Sequence, residues 1–219
     1  MNLAALITAV RTRTGMLSDD QLGTDTNLTD LINAAIHLLE IEMPAGWPWL
    51  QVRGSFVTVA ADEDYPFTTI SSSPTLARIG SLRLVTDSSA EFELQKMSYD
   101  DLVTRYGSVA QATPEAWAVY GTTVVLRPVP SQVWTVKYAG VRTEPDLASG
   151  DSPIMPVAFQ HAIVDQAAYL WYRRTGNTDG AQVAKAEVTH WISKMFGYAR
   201  QSAGPGRIRD KSLNDWAVT

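Results

Sequence analysis

The chain has 219 residues, 45% of them apolar, with no cysteine and a formal net charge of −5. That length allows one large domain or a core domain carrying an inserted module, and the apolar share excludes disorder over most of it. Lack of cysteine excludes disulfides and thiolate metal sites and fits folding in a reducing cytoplasm. No apolar run approaches the roughly 20 residues of a membrane helix, so no membrane partner is expected. Met1-Asn2-Leu3-Ala4-Ala5-Leu6 lacks a basic start and a small-residue cleavage site, so no secretory leader is expected either.

The charge is uneven. Residues 1–172 carry ten Lys/Arg against nineteen Asp/Glu, a net of −9; residues 173–219 carry eight against four, a net of +4. An acidic body argues against tight nucleic-acid binding, whose affinity comes mostly from neutralising phosphates. The basic end reads either as a solvated helix with a mobile tail or as a tail that docks on an acidic partner.

Leu3, Leu6, Ile7 and Val10 follow Asn2 at helical spacing, and Gly15 ends this first helix. A second helix is expected from about Asn27, with Asp30 completing a capping box and Leu28, Leu31, Ile32, Ala35, Leu38 and Leu39 on its apolar face. Pro44 and Gly46 stop it. Strand-like pieces come next: Leu50 with Val52, Val57 with Val59, Leu82 with Leu84, and Phe92 with Leu94. A short helix is expected over Asp100–Tyr106, ended by Gly107. Trp117–Tyr120 and Thr123–Arg127 flank a Gly121-Thr122 turn, and Trp134, Val136 and Tyr138 alternate after the Pro128-Val129-Pro130-Ser131 turn. With no helix between most of these strands, antiparallel pairing is expected. A polar segment from Thr143 to Ser152 reads as a linker. A helix starting near Pro156 carries Phe159, Ile163, Ala167, Leu170 and Trp171 and is capped by Gly176. A longer one from about Thr178 to Ser202 carries Ala184, Val188, Trp191, Ile192, Met195 and Ala199, and Gly204-Pro205-Gly206 breaks it.

Neither terminal pair of helices can bury its face alone, so the two pairs are expected to pack on each other. The fold class is therefore α+β: a helical bundle formed by N- and C-terminal helices, with an inserted antiparallel β module. The expected divisions are 1–46 for the first helices, 47–142 for the β insertion with one short helix, 143–203 for the second helix pair, and 204–219 for an extended tail.

Spacings that carry chemistry are few. His161 and Asp165 stand four apart on one helix, and Glu187 and His190 three apart on the next, so each pair shares a helix face. A di-metal bundle needs a second Glu-x-x-His, which is missing; the plainer reading is polar residues on amphipathic helices. There is no Gly-x-Ser-x-Gly elbow and no P-loop, and Gly204-Pro205-Gly206 follows a helix rather than a strand. His37 within the second helix reads as structural. Asp62-Glu63-Asp64 and Asp100-Asp101 lack the glycine and alternation of a calcium loop and read as turn and helix-start residues. No catalytic, cofactor-binding or metal residue is assigned, and no enzyme activity is expected.

The seven tryptophans divide. Trp47, Trp49, Trp117, Trp134, Trp171 and Trp191 fall on expected elements or their edges, and most of them read as core. Trp216 sits in a short polar tail, where a large aromatic calls for a pocket on this subunit or on a neighbour.

The layout resembles the head-to-tail adaptor (connector) proteins of tailed bacteriophages. The second helix ends in Pro44-Ala45-Gly46-Trp47-Pro48-Trp49-Leu50, similar to the aromatic–Pro–aromatic–Leu step before that family's first strand. Tyr65-Pro66 resembles a Tyr-x-Pro strand end, one residue short. Thr113-Pro114-Glu115-Ala116-Trp117-Ala118-Val119-Tyr120-Gly121, then Val125-Leu126-Arg127-Pro128-Val129-Pro130 and Tyr138, is similar to a Pro-led strand, Gly turn, strand, Pro-x-Pro turn and strand ending in Tyr. Ser131-Gln132 departs from it, since an acidic residue is common there. The likeness spans roughly residues 25–200. It implies a virion protein at the capsid–tail junction, assembled in the host cytoplasm. It also implies a homo-oligomeric ring, usually of twelve subunits, between the portal protein and the next neck or tail protein. Double-stranded DNA would pass through the ring without specific binding. The expected partner-binding residues are Arg207, Ile208, Arg209, Lys211 and Trp216 of the tail. Three alternatives stay open: another neck or tail-completion protein of the tail-terminator type, a cytoplasmic hydrolase or metal-dependent enzyme, and a sequence-specific DNA binder using the basic last helix.

Overall fold

A computed structural model describes residues 1–16, 24–43, 46–86, 90–107 and 109–202. Among these the helices are α1 (Leu3–Thr14), α2 (Asp25–Ile41), α3 (Phe67–Ile70), α4 (Tyr99–Tyr106), α5 (Gln160–Thr175) and α6 (Thr178–Ser202). The strands are β1 (Gln51–Val57), β2 (Asp64–Pro66), β3 (Leu76–Val85), β4 (Glu91–Glu93), β5 (Gln95–Lys96), β6 (Ala116–Tyr120), β7 (Thr123–Arg127) and β8 (Thr135–Arg142). Short 3-10 turns cover Pro48–Leu50 and Val157–Phe159. The fold is α+β, with terminal helices flanking a β module as the periodicity implies. No helix among the described residues is long and apolar enough to cross a membrane.

The chain divides into two compact units. The first holds residues 1–49 and the described residues from Glu144 onward. Its centre is α5, which packs against α1, α2 and α6. Ala162, Ile163, Val164, Ala167, Ala168 and Trp171 are all buried, so α5 is apolar on several faces at once. The three alanines let neighbouring helices approach closely. Facing them are Leu6 and Val10 of α1, Leu28, Ile32, Ala35 and Leu39 of α2, and Ala184, Val188 and Met195 of α6, all buried.

The caps explain where these helices begin and end. Asn2 accepts the Ala5 N–H at 3.0 Å, and Gly15 at φ 70° closes α1 in the left-handed region that glycine adopts without strain. The start expected at Asn27 lies earlier, at Asp25, because Thr24 is the cap: its Oγ accepts the Asn27 N–H at 3.4 Å. Asp25 then sits in the first turn, where a carboxylate meets the positive end of the helix dipole, and pairs with Arg11 of α1 at 2.7 Å.

The second unit, Leu50–Thr143, contains two four-stranded sheets, ordered β1-β8-β3-β4 and β2-β7-β6-β5. They share one core. Phe56, Leu82, Leu84, Val136 and Tyr138 of the first sheet meet Tyr65, Trp117, Val124 and Leu126 of the second, with Phe67 and Ile70 of α3 at the margin. A second, smaller core lies outside the second sheet, where Leu102 and Tyr106 of α4 cover Ala116, Ala118 and Val125. Helix α4 starts at Ser98, whose Oγ accepts the Asp101 N–H at 3.2 Å and donates to the Asp101 carboxylate at 2.6 Å. Not every pairing is antiparallel: β5 and β6 run parallel, because α4 forms the crossover between them.

Strand β3 pairs with β8 through two irregularities, between Leu76 and Arg78 and between Ile79 and Ser81. Gly140 lies opposite, and a Cβ there would come within 2.6 Å of the Arg78 carbonyl oxygen. The backbones approach too closely for any side chain. Gly140→Ala is therefore expected to destabilise the protein by about 1–3 kcal/mol in thermal or urea unfolding. Gly197 of α6 is exposed, with nothing within 4 Å of its would-be Cβ. Gly197→Ala in the same assay is expected to stabilise by about 0.5–1 kcal/mol.

Candidate functional site

The expected partner-binding residues, Arg207, Ile208, Arg209, Lys211 and Trp216, lie outside the described residues. Gly204-Pro205-Gly206 lies there too.

The polar helix pairs converge differently from a metal site. His161 and Asp165 of α5 and Glu187 and Trp191 of α6 line a cleft of about 520 Å³ with Ala9, Thr12 and Arg13 of α1. Asp165, only 9% exposed, has both carboxylate oxygens engaged: Arg13 Nε donates to one at 3.0 Å and Trp191 Nε1 to the other at 2.9 Å. The His161 ring lies nearly parallel to Trp191, with centroids 6.2 Å apart, and the Lys194 ammonium sits over the Trp191 ring, 4.6 Å from its centroid. His190 turns toward the Trp191 ring as well. The carboxylate therefore ties three helices together. Among the described residues no group of three or more His, Asp or Glu is placed to hold a metal ion.

The segment that reads as a linker is fastened along its length. It has no regular structure between Arg142 and Val157, yet one stripe of α2 holds it. Asn33 accepts the Leu147 N–H at 2.9 Å and donates to the Leu147 carbonyl at 3.4 Å. One turn on, His37 contacts the Asp146 carboxylate at 2.8 Å and Glu40 at 3.2 Å, and the Glu144 N–H donates to Glu40. Positions 33, 37 and 40 share a helix face, so these polar residues act as one rail. Beyond the rail, Glu144 is 2% exposed and its carboxylate accepts the Ile154 N–H. Partial burial pulls the His37 pKa down, but the hydrogen bonds to Asp146 and Glu40 outweigh it and the net shift is upward.

The Trp47-Pro48-Trp49 step forms an aromatic anchor within the helical unit. The two indoles stack with planes 2° apart and centroids at 5.2 Å. Trp47 is fully buried, donates from Nε1 to the Leu39 carbonyl at 2.7 Å, and meets Phe196 of α6 at 5.2 Å. Trp49 meets Phe159 at 5.9 Å and Tyr198 at 6.3 Å. Pro48 opens the 3-10 turn between them, so both rings are presented on one side.

The β module carries charge on both outer faces. Register puts Arg53 of β1, Lys137 of β8 and Arg83 of β3 on the outer face of the first sheet, with Glu91 and Glu93 of β4 beside them. Lys137 donates to Glu91 at 2.5 Å and Arg83 lies 3.9 Å from it. The hydrogen bond to Lys137, then the Lys137 charge, holds the Glu91 carboxyl below its ordinary range. On the opposite side, around α4, Asp64, Asp100, Asp101 and Glu115 are exposed beside Arg105, while Glu63 is paired with Arg127 at 2.6 Å.

The family model described as SU10 adaptor protein matches residues 1–209. The chain belongs to that family of tailed-bacteriophage head-to-tail adaptor proteins, and its role is that of a structural adaptor. No curated protein matches it. Among solved structures it is similar to one described as the neck of an empty GTA particle computed with C6 symmetry, at 16% identity, with 80% of this chain and 77% of that chain covered. The TM-score of that pair is 0.28, too low to define a common arrangement.

Two outcomes follow from the helical unit. Asp165→Ala leaves the Trp191 N–H and the Arg13 guanidinium without their acceptor, and is expected to cost about 1–3 kcal/mol in urea unfolding. For His37, the folded-state pKa lies above the ordinary 6.5, so the fold favours the imidazolium. That contribution is complete below 6.5 and is lost as pH rises through the folded-state value. Its side chain is 45% exposed, which screens the effect to under about 1 kcal/mol. Amide exchange over residues 144–151 is expected to rise more steeply with pH across this range than in His37→Gln, whose profile should follow intrinsic exchange alone.

Proposed function

We propose that this protein is one subunit of a ring, usually of twelve copies, that joins the portal to the next neck protein and continues the DNA channel. The observation that carries the reading is the family match over residues 1–209, which takes in both helical segments and the β module between them. The helical unit would contribute to the ring wall, and residues 204–219 would reach a partner. The acidic excess of −9 over residues 1–172 supports a conduit role, because a wall that repels phosphate lets duplex slide. The tail contact would use Arg207, Ile208, Arg209, Lys211 and Trp216, combining charge with an aromatic anchor.

The test is co-sedimentation of the full chain with purified portal rings of the same phage, followed by negative-stain imaging. The full chain is expected to bind and extend the ring along its axis. A chain lacking residues 207–219 is expected to lose binding by at least about tenfold, the scale of one lost aromatic hot spot. Unchanged binding of the shortened chain rejects the tail contact. Failure of the full chain to bind rejects the adaptor-ring reading itself.

A further inference from the structure

The two outer faces of the β module bear opposite charge and point in opposite directions. The two sheets share one core, so the outer face of the first sheet and the α4-covered face of the second turn away from each other. The first face sets Arg53, Arg83 and Lys137 against Glu91 and Glu93, an excess of one positive charge. The second sets Asp64, Asp100, Asp101 and Glu115 against Arg105, an excess of three negative charges.

A closed ring is built from heterologous contacts, in which one patch of a subunit meets a different patch of the next. Two such patches must face opposite ways round the ring and must complement each other. Resting on the ring reading above, we infer that the outer face of the first sheet docks on the α4-covered face of the β module of a second copy of this chain. Charge complementarity selects this occupant. A polyanion is a poorer fit to the first face, because Glu91 and Glu93 stand among its cations and Glu91 is hydrogen-bonded to Lys137. A surface carrying carboxylates at intervals, with an arginine between them, matches that mixed pattern. Placed across from each other, like faces repel, so a symmetric pairing of two first faces or two second faces is disfavoured. The contact is therefore directional, which is what carries assembly past a dimer.

The chain has no cysteine, so engineered thiols report only on their own positions. Ser55 lies beside Lys137 on the first face, and Thr104 is exposed on α4. The full-length double variant S55C/T104C, concentrated and oxidised, is expected to give a ladder of disulfide-linked multimers. Either single variant is expected to give no ladder. Adding R53E/R83E to the double variant reverses the first face, and adding D64K/D100K reverses the second. Each reversed chain alone is expected to lose the ladder by about tenfold or more, as like charges are brought together. Mixed in equal amounts, the two reversed chains complement each other at both contacts and the ladder is expected to return. No ladder from S55C/T104C, a ladder indifferent to the reversals, or a mixture no better than its parts each overturns the pairing. Any of these results in a chain that still binds portal rings rejects this surface and leaves the adaptor role standing.

Discussion

Helix α5 cannot exist in water as it is built. Its buried positions run almost without a break from Gln160 to Ala168 and include polar Gln160, Asp165 and Gln166. An amphipathic helix needs one partner face; this one needs partners on several sides, and they come from opposite ends of the chain. Asp165 shows the dependence at atomic scale, since its two oxygens are satisfied by Arg13, far upstream, and by Trp191, downstream. A carboxylate this buried would be unfavourable if either neighbour were missing. The helical unit therefore forms only when α1, α2 and α6 are all in place around α5. Everything between Trp49 and Glu144 is an insertion between the segments that enclose α5.

Much of this was legible in the sequence because it rests on local chemistry. Asn2, Gly15 and Gly176 mark helix ends through their own backbone preferences, and the 3.6-residue spacing of apolar side chains marks the faces. The Gly121-Thr122 turn declares its hairpin for the same reason, with Gly121 at φ 61°. The sequence misleads where two local signals compete or where the deciding contact lies far along the chain. Thr24 and Asn27 are both good caps, and only the packing of α2 chooses between them. The parallel pairing of β5 with β6 is set by where α4 delivers the chain, which no alternation pattern records.

The functional reading shows the same division. The Trp47-Pro48-Trp49 step is visible as a motif, and its physical content is a stacked pair that joins the end of α2 to α6 and to the 3-10 turn that leads into α5. The rail formed by Asn33, His37 and Glu40 was missed, although three polar residues on one helix face were there to be seen. Their partners, from Glu144 to Leu147, sit in a segment whose composition suggests only a linker. The charged faces of the β module needed the strand register before Arg53, Arg83 and Lys137 could be recognised as neighbours. Alternation says which side of a strand a residue takes, but not what stands beside it.

The first and last strands of the β module are paired: β1 runs against β8, with Gln51 opposite Val141. The module thus begins and ends at one place, and the helical unit experiences it as a single closed loop. Loop-closure entropy grows only logarithmically, by about 0.6 kcal/mol for each doubling of length. The helices are therefore nearly indifferent to how large the intervening module is, provided its two ends leave side by side. Strands can be lengthened, helices such as α4 added, and outer faces recharged without reopening the core around α5.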